Sequence, residues 1–213
     1  MVQQHNFKKV LAVLGAVAGI LTVGLQFVLF INERTRSIAE VFIRFISFFT
    51  ILSNIMVSIC FFADAFTADF RMKFWKSAPV KTALLVYILV VGIVYNVVLR
   101  SLWEPLGWQI PVDEMLHVVM PLLFLLYWWW FSPSIHFRWS NVTKSLLYPI
   151  LYLIWVLLRG ALSNWYPYPF LDAFNHGYKK VAISSIVLLL LFGSLSVLLF
   201  WWSSRKKATP DKT

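Results

Sequence analysis

Cysteine is nearly missing from this chain: Cys60 stands alone among 213 residues. A single thiol can form neither an internal disulfide nor the thiolate set of a structural zinc site, and it leaves the redox compartment open. Charge is the second shortage. Asp, Glu, Lys and Arg together make up 13% of residues, about half of what a soluble domain carries. The signatures of soluble enzymes are missing as well: no Gly-x-Ser-x-Gly elbow, no phosphate-binding Gly-rich loop, no His-Glu-x-x-His, no Cys-x-x-Cys. Neither a metal nor a cofactor is expected. No internal repeat or low-complexity segment is visible either.

What fills the chain instead is apolar. Hydrophobic residues make up 60% of it, and the mean hydropathy is +0.75; a soluble fold of this size could not bury so much. Six runs, at about 10–31, 45–63, 82–99, 115–135, 145–163 and 181–204, approach the roughly 20 residues that cross a bilayer as a helix. The first follows Lys8 and Lys9 but is too long for the apolar region of a signal peptide. The expected fold is all-α: one polytopic transmembrane domain over 1–213, a bundle of six membrane helices, with a disordered tail at 208–213. Gly15 and Gly19 are placed for close helix contact.

The net charge of +10 invites a nucleic-acid reading, but the basic residues flank apolar spans rather than forming one interleaved patch, so no nucleic acid is expected. The positive-inside bias accounts for them. With both termini cytoplasmic, the inner segments hold twelve of nineteen Lys and Arg, and the outer ones six of nine acids. That topology places a multi-pass protein in the cell membrane. Trp103, Trp108, Trp165 and Tyr168 then read as an outer aromatic belt. Trp75, Trp128–Trp130, Trp201 and Trp202 read as the inner one.

Polar residues inside such spans are costly and need a reason. Glu40, Arg44, Ser47, Thr50, Asn54 and Ser58 recur at steps of three and four, one face of a single helix. His117 opens the fourth span at a depth that lets it meet Thr50. Asn96, Arg100, Arg159, Asn164 and the ladder His176–Lys180–Ser184 gather at the same level. Each has a plain structural role open to it. Thr50 and Asn54 can bond backbone carbonyls, Arg100 and Arg159 can snorkel, and His117 can bond water or a loop. Upstream, Asp113 or Glu114 could hold the imidazole as the third member of a triad does.

The motifs Phe48-Phe-Thr-Ile-Leu-Ser-Asn54, His117-Val-Val-Met-Pro121 and Tyr168-Pro-Phe-Leu171 together resemble the androgen-induced gene / androgen-dependent TFPI-regulating protein family. Those are multi-span threonine hydrolases of fatty acid esters of hydroxy fatty acids. The likeness spans most of the six-helix core. Asn54 and the Phe48-Phe49 pair depart from the better-known animal sequences, as in a bacterial-type relative. The resemblance implies Thr50 as nucleophile, His117 as catalytic base, and a lipid ester as substrate among membrane lipids; it gives the Tyr168 motif no role. The chemistry is coherent, because a base must take the proton from a threonine hydroxyl before it attacks. Asn54, Asn96 or a backbone amide could stabilise the oxyanion. Arg100, Arg159, Lys180 or Tyr168 could bind the substrate, the cations through a free carboxylate. A non-catalytic lipid- or partner-binding protein and a small transporter remain open. An enzyme needs Thr50 and His117 within reach of each other; a transporter needs a polar route past Asn54.

Overall fold

A computed structural model describes residues 2–32, 37–66, 70–102 and 104–206. Trp103 and the tail from Ala208 lie outside the described residues. The helices are α1 (Val2–Asn32), α2 (Ile38–Phe45), α3 (Phe49–Phe66), α4 (Lys73–Lys76), α5 (Ala78–Val94), α6 (Gln109–Glu114), α7 (Met120–Phe131), α8 (Trp139–Ser163), α9 (Ala173–His176) and α10 (Tyr178–Arg205). A π-helical turn, Tyr95–Leu99, prolongs α5, and another, Met115–Val119, joins α6 to α7. Among the described residues six helical stretches are long and apolar enough to cross a membrane: Asn6–Asn32, Phe49–Phe66, Ala78–Leu99, Gln109–Phe131, Trp139–Ser163 and Tyr178–Arg205. The all-α, multi-pass reading holds.

Five of the six spans start upstream of their apolar runs, and the fourth ends at Phe131 rather than at 135. The fourth and fifth spans start at Gln109 and Trp139 rather than at 115 and 145, because helices continue through polar turns beyond the apolar layer. The second is the exception. It starts at Phe49, after a break at 46–48 that separates it from α2.

The bundle is built around α3, which packs on α1 and α5. Phe61, Leu85, Ile88, Met120, Phe124 and Trp128 are wholly buried at its heart. Gly15 and Gly19 let α1 come close. A Cβ on Gly15 would stand 2.6 Å from the Phe61 ring, and one on Gly19 only 2.0 Å from Ser58 Oγ. Large apolar side chains such as Leu14, Leu21, Leu162 and Leu190 face outward, as on a surface whose solvent is lipid.

The start of α1 and the end of α10 lie at one end of the bundle. Phe7 meets Trp130 with ring centres 6.2 Å apart, and Lys206 Nζ donates to the Trp128 carbonyl at 2.9 Å. A buried ion pair joins spans two and three near that end: Lys81 Nζ lies 2.5 Å from Asp64 Oδ2, with both side chains under 5% exposed. The Tyr127 hydroxyl donates to the same oxygen at 2.6 Å. Trp128 does not belong to an aromatic belt. It is buried, and its Nε1 donates to Thr82 Oγ1 at 2.9 Å.

Candidate active site

The opposite end is shaped by the break before α3. Ser47 Oγ turns back to the Ile43 carbonyl at 2.6 Å, and the Tyr152 hydroxyl of α8 donates to the Ser47 carbonyl at 2.7 Å. These bonds stop α2 and restart the helix at Phe49, so Thr50 sits in the first turn of α3. Amides there have no carbonyl one turn back within the helix. The Thr50 amide donates instead to the Tyr168 hydroxyl, at 3.2 Å.

The single polar stripe expected from the spacing is therefore two pieces. Thr50, Asn54 and Ser58 stay on α3. Glu40 and Arg44 pair with each other at 2.7 Å on α2. Arg159 reaches Glu40 at 3.3 Å, and both guanidinium groups lie 4.8 Å from the Trp165 ring centre. Trp165 is thus held in a cation–π cluster rather than standing free in a belt. Arg159 belongs to that cluster, and it does not line the cleft beside Thr50.

His117 lies in the π turn of the fourth span, 9% exposed. Its Nδ1 is 2.8 Å from the Asp113 carbonyl. A carbonyl only accepts, so Nδ1 carries the proton and Nε2 presents a lone pair. That lone pair faces Thr50 Oγ1 at 3.5 Å, the outer limit of a hydrogen bond. The orienting group is a backbone carbonyl, which corrects the triad expectation. The Asp113 carboxylate accepts from Gln109 Nε2 at 2.8 Å, and Glu114 pairs with Arg100 at 2.5 Å.

Two aromatic residues complete the surroundings of this pair: Tyr95, which the sequence does not mark, and Tyr168, a candidate substrate-binding residue. Tyr95, in the other π turn, stacks on the imidazole with centres 3.9 Å apart and planes at 10°. Arg100 lies over the far ring, 5.4 Å from its centre. Tyr168 leaves the belt and enters the site: its hydroxyl is 3.4 Å from Thr50 Oγ1. It stands extended between Pro167 and Pro169, at φ −134° and ψ 138°, as a residue before proline prefers. Phe48 packs edge-on against it, centres 5.8 Å apart. A sequence signal for Tyr168 existed in its Pro-flanked motif. For Tyr95 there was none, since an aromatic in an apolar span is the ordinary case.

Asn54 is fully buried, and its Nδ2 donates to the carbonyls of Thr50 at 2.9 Å and Leu116 at 3.3 Å. It ties the helix of Thr50 to the turn of His117 and has no N–H aimed at a substrate, which corrects the oxyanion assignment and keeps the supporting one. Asn96 is exposed and donates to Gly92 of its own helix at 2.8 Å, away from Thr50. Lys180 is exposed in the first turn of α10 and lines no part of the cleft.

That cleft, of about 60 Å³, runs from Thr50 and Tyr168 between α5, α8 and α10. Beyond the polar atoms of Thr50, Tyr152, Tyr168 and Ser185 its walls are apolar, including Val91, Leu153, Leu189 and Phe192. The arrangement offers a hydroxyl, a base in the correct tautomer and a greasy slot beside them. Comparisons with protein-family models, curated proteins and solved structures give no match to this chain.

Proposed function

We propose that this protein is an intramembrane hydrolase of lipid esters, with Thr50 as nucleophile and His117 as general base. The observation that carries the reading is the approach of Thr50 Oγ1 to a His117 Nε2 whose lone pair is fixed by the Nδ1–carbonyl bond. A buried imidazole needs a partner at this atom in any case; a hydroxyl there, with the apolar cleft beside it, is what a base and its nucleophile require. Tyr95 stacked on one face of the ring limits its rotation.

In this account the acyl chain of the ester lies in the apolar cleft, and the carbonyl carbon comes to Thr50. His117 Nε2 takes the hydroxyl proton as Oγ1 attacks. The tetrahedral adduct collapses, the alcohol leaves with the proton from Nε2, and an acyl-threonine remains. Water, deprotonated by His117, then releases the fatty acid and restores Thr50. For a fatty acid ester of a hydroxy fatty acid, the substrate the resemblance implies, one chain would enter the cleft and the carboxylate of the second would compete with Glu114 for Arg100. With the termini cytoplasmic, the site opens to the outer leaflet of the cell membrane.

The transporter reading loses ground to the wholly buried apolar layer of Phe61, Leu85, Ile88, Met120 and Phe124, which separates Asn54 from the Asp64–Lys81 pair. The test is full-length protein in nanodiscs with a panel of long-chain fatty acid esters. Thr50→Ala and His117→Ala should each abolish most turnover, with the double variant little worse than either, because a catalytic pair is strongly non-additive. Full activity in folded Thr50→Ala would end the nucleophile assignment, and wild type without turnover would leave a lipid-binding protein as the better account.

A further inference from the structure

Resting on that hydrolase reading, we infer that Tyr168 is a catalytic residue, its phenol donating the hydrogen bond that stabilises the oxyanion formed on the substrate carbonyl. Asn54 and Asn96, the side-chain amides the sequence offers as oxyanion donors, are spent on backbone carbonyls. An ester hydrolase without a donor at the oxyanion forgoes the largest single contribution to its rate, so the donor must come from elsewhere. Among the described residues, the Tyr168 hydroxyl is the side-chain group that contacts Thr50 through both its amide, at 3.2 Å, and its Oγ1, at 3.4 Å.

The hydrogen-bond directions favour this role. The Thr50 amide has only a proton to give, so the phenol oxygen accepts it, and the phenol's own proton is left to be donated. The neighbouring Tyr152 gives its proton to the Ser47 carbonyl, so toward Tyr168 its oxygen can only accept, and the substrate oxyanion, carrying charge, is the stronger acceptor of the Tyr168 proton. When Oγ1 attacks, its proton passes to His117 Nε2 and its electron pair forms the new C–O bond. The carbonyl π pair moves onto oxygen. That oxygen lies two bonds from Oγ1, within the sweep of a donor already in contact with Oγ1. Tyr168 gives a hydrogen bond and transfers no proton, so the phenol is unchanged when the adduct collapses.

The surroundings suit a donor. Burial raises the Tyr168 phenol above its ordinary value, so it stays protonated through neutral pH. Pro167 and Pro169 restrict the backbone on either side, and Phe48 and Phe170 pack on the ring with centres 5.8 and 5.2 Å away. A donor fixed before the reaction spends nothing on reorganisation during it.

The experiment uses the full chain in nanodiscs and a fluorogenic long-chain acyl ester, comparing wild type, Thr50→Ala and Tyr168→Phe, together with fluorinated tyrosines incorporated at position 168. Loss of one oxyanion donor lowers kcat by about 10²–10³-fold, and Tyr168→Phe should do so with KM changed little. The fluorinated series keeps ring and hydroxyl while making the phenol a stronger donor, and kcat should track phenol acidity at constant KM. A purely structural tyrosine would show no such trend. Wild type that hydrolyses no ester overturns the hydrolase reading itself, and Thr50→Ala as active as wild type overturns Thr50 as its nucleophile. An active wild type with kcat of Tyr168→Phe within twofold overturns the Tyr168 assignment alone. So does a flat response across the fluorinated series, whatever Tyr168→Phe does.

Discussion

Replacing Asn54 separates a clamp from a catalytic donor, and the structure sets the size of the effect. The side chain makes two bonds, to the Thr50 carbonyl at 2.9 Å and the Leu116 carbonyl at 3.3 Å. At about 0.5–1.5 kcal/mol net each, their loss costs about 1–3 kcal/mol. Against this, Asn54 Oδ1 is buried without a partner among the described residues, and removing such an orphan returns about 1–3 kcal/mol. Asn54→Ala should therefore be only mildly destabilised, by no more than about 2 kcal/mol on the same figures. Asn54→Asp has the same shape but turns acceptors toward two carbonyls in a buried place, and should lose about 3–5 kcal/mol as an uncompensated charge does. Thermal unfolding in detergent ranks the variants, and ester turnover in nanodiscs gives the kinetics. As a clamp between the spans of Thr50 and His117, Asn54→Ala should lose less than about tenfold in kcat, well short of the 10²–10³-fold of an oxyanion donor. A hundredfold fall in kcat with unchanged melting and KM would refute the clamp.

Three further outcomes follow from other parts of the bundle. Lys81→Met strands the buried Asp64 carboxylate and should cost about 3–5 kcal/mol; adding Asp64→Asn should recover much of it, and a double variant as unstable as the single would contradict the pairing. In Gly160→Ala, the new Cβ would stand 2.0 Å from the Tyr166 ring, pushing the segment that carries Tyr168. Turnover should fall at least tenfold while circular dichroism stays helical, whereas Gly193→Ala, with nothing within 4 Å, should be active and no less stable; equal activity in both would dismiss the contact. For topology, a cysteine placed at Lys73 in a Cys60→Ser background should label only from the cytoplasmic side, and labelling by an impermeant reagent outside intact cells would reverse the orientation.

The spans were legible because lipid imposes a simple rule: every backbone group must be satisfied inside an apolar helix. Their ends were less so, since Gln109–Glu114 and Trp139–Lys144 are helical but not apolar, and only the apolar part of a helix shows in composition. The break at 46–48 left no mark, because no Gly or Pro makes it; it depends on Tyr152, more than a hundred positions away. That one contact explains why Glu40 and Arg44 separate from Thr50. Thr50 and His117 were legible as a pair because polar groups in a membrane helix have few reasons to be there. The Asp113 expectation chose the right residue and the wrong atom. Spacing alone does not reveal that a π turn presents a backbone carbonyl to the imidazole.

The central claim is that Thr50 attacks a carbonyl-like electrophile, and a site-resolved adduct tests it most directly. Wild-type protein in nanodiscs, treated with a long-chain alkyl fluorophosphonate and digested, should carry the phosphonyl mass on the peptide containing Thr50, with fragmentation placing it on that residue. Ester turnover should fall in proportion to the labelled fraction, and folded His117→Ala should label far more slowly. Inhibition of turnover with the adduct on another residue, or with Thr50 unmodified, would contradict the account.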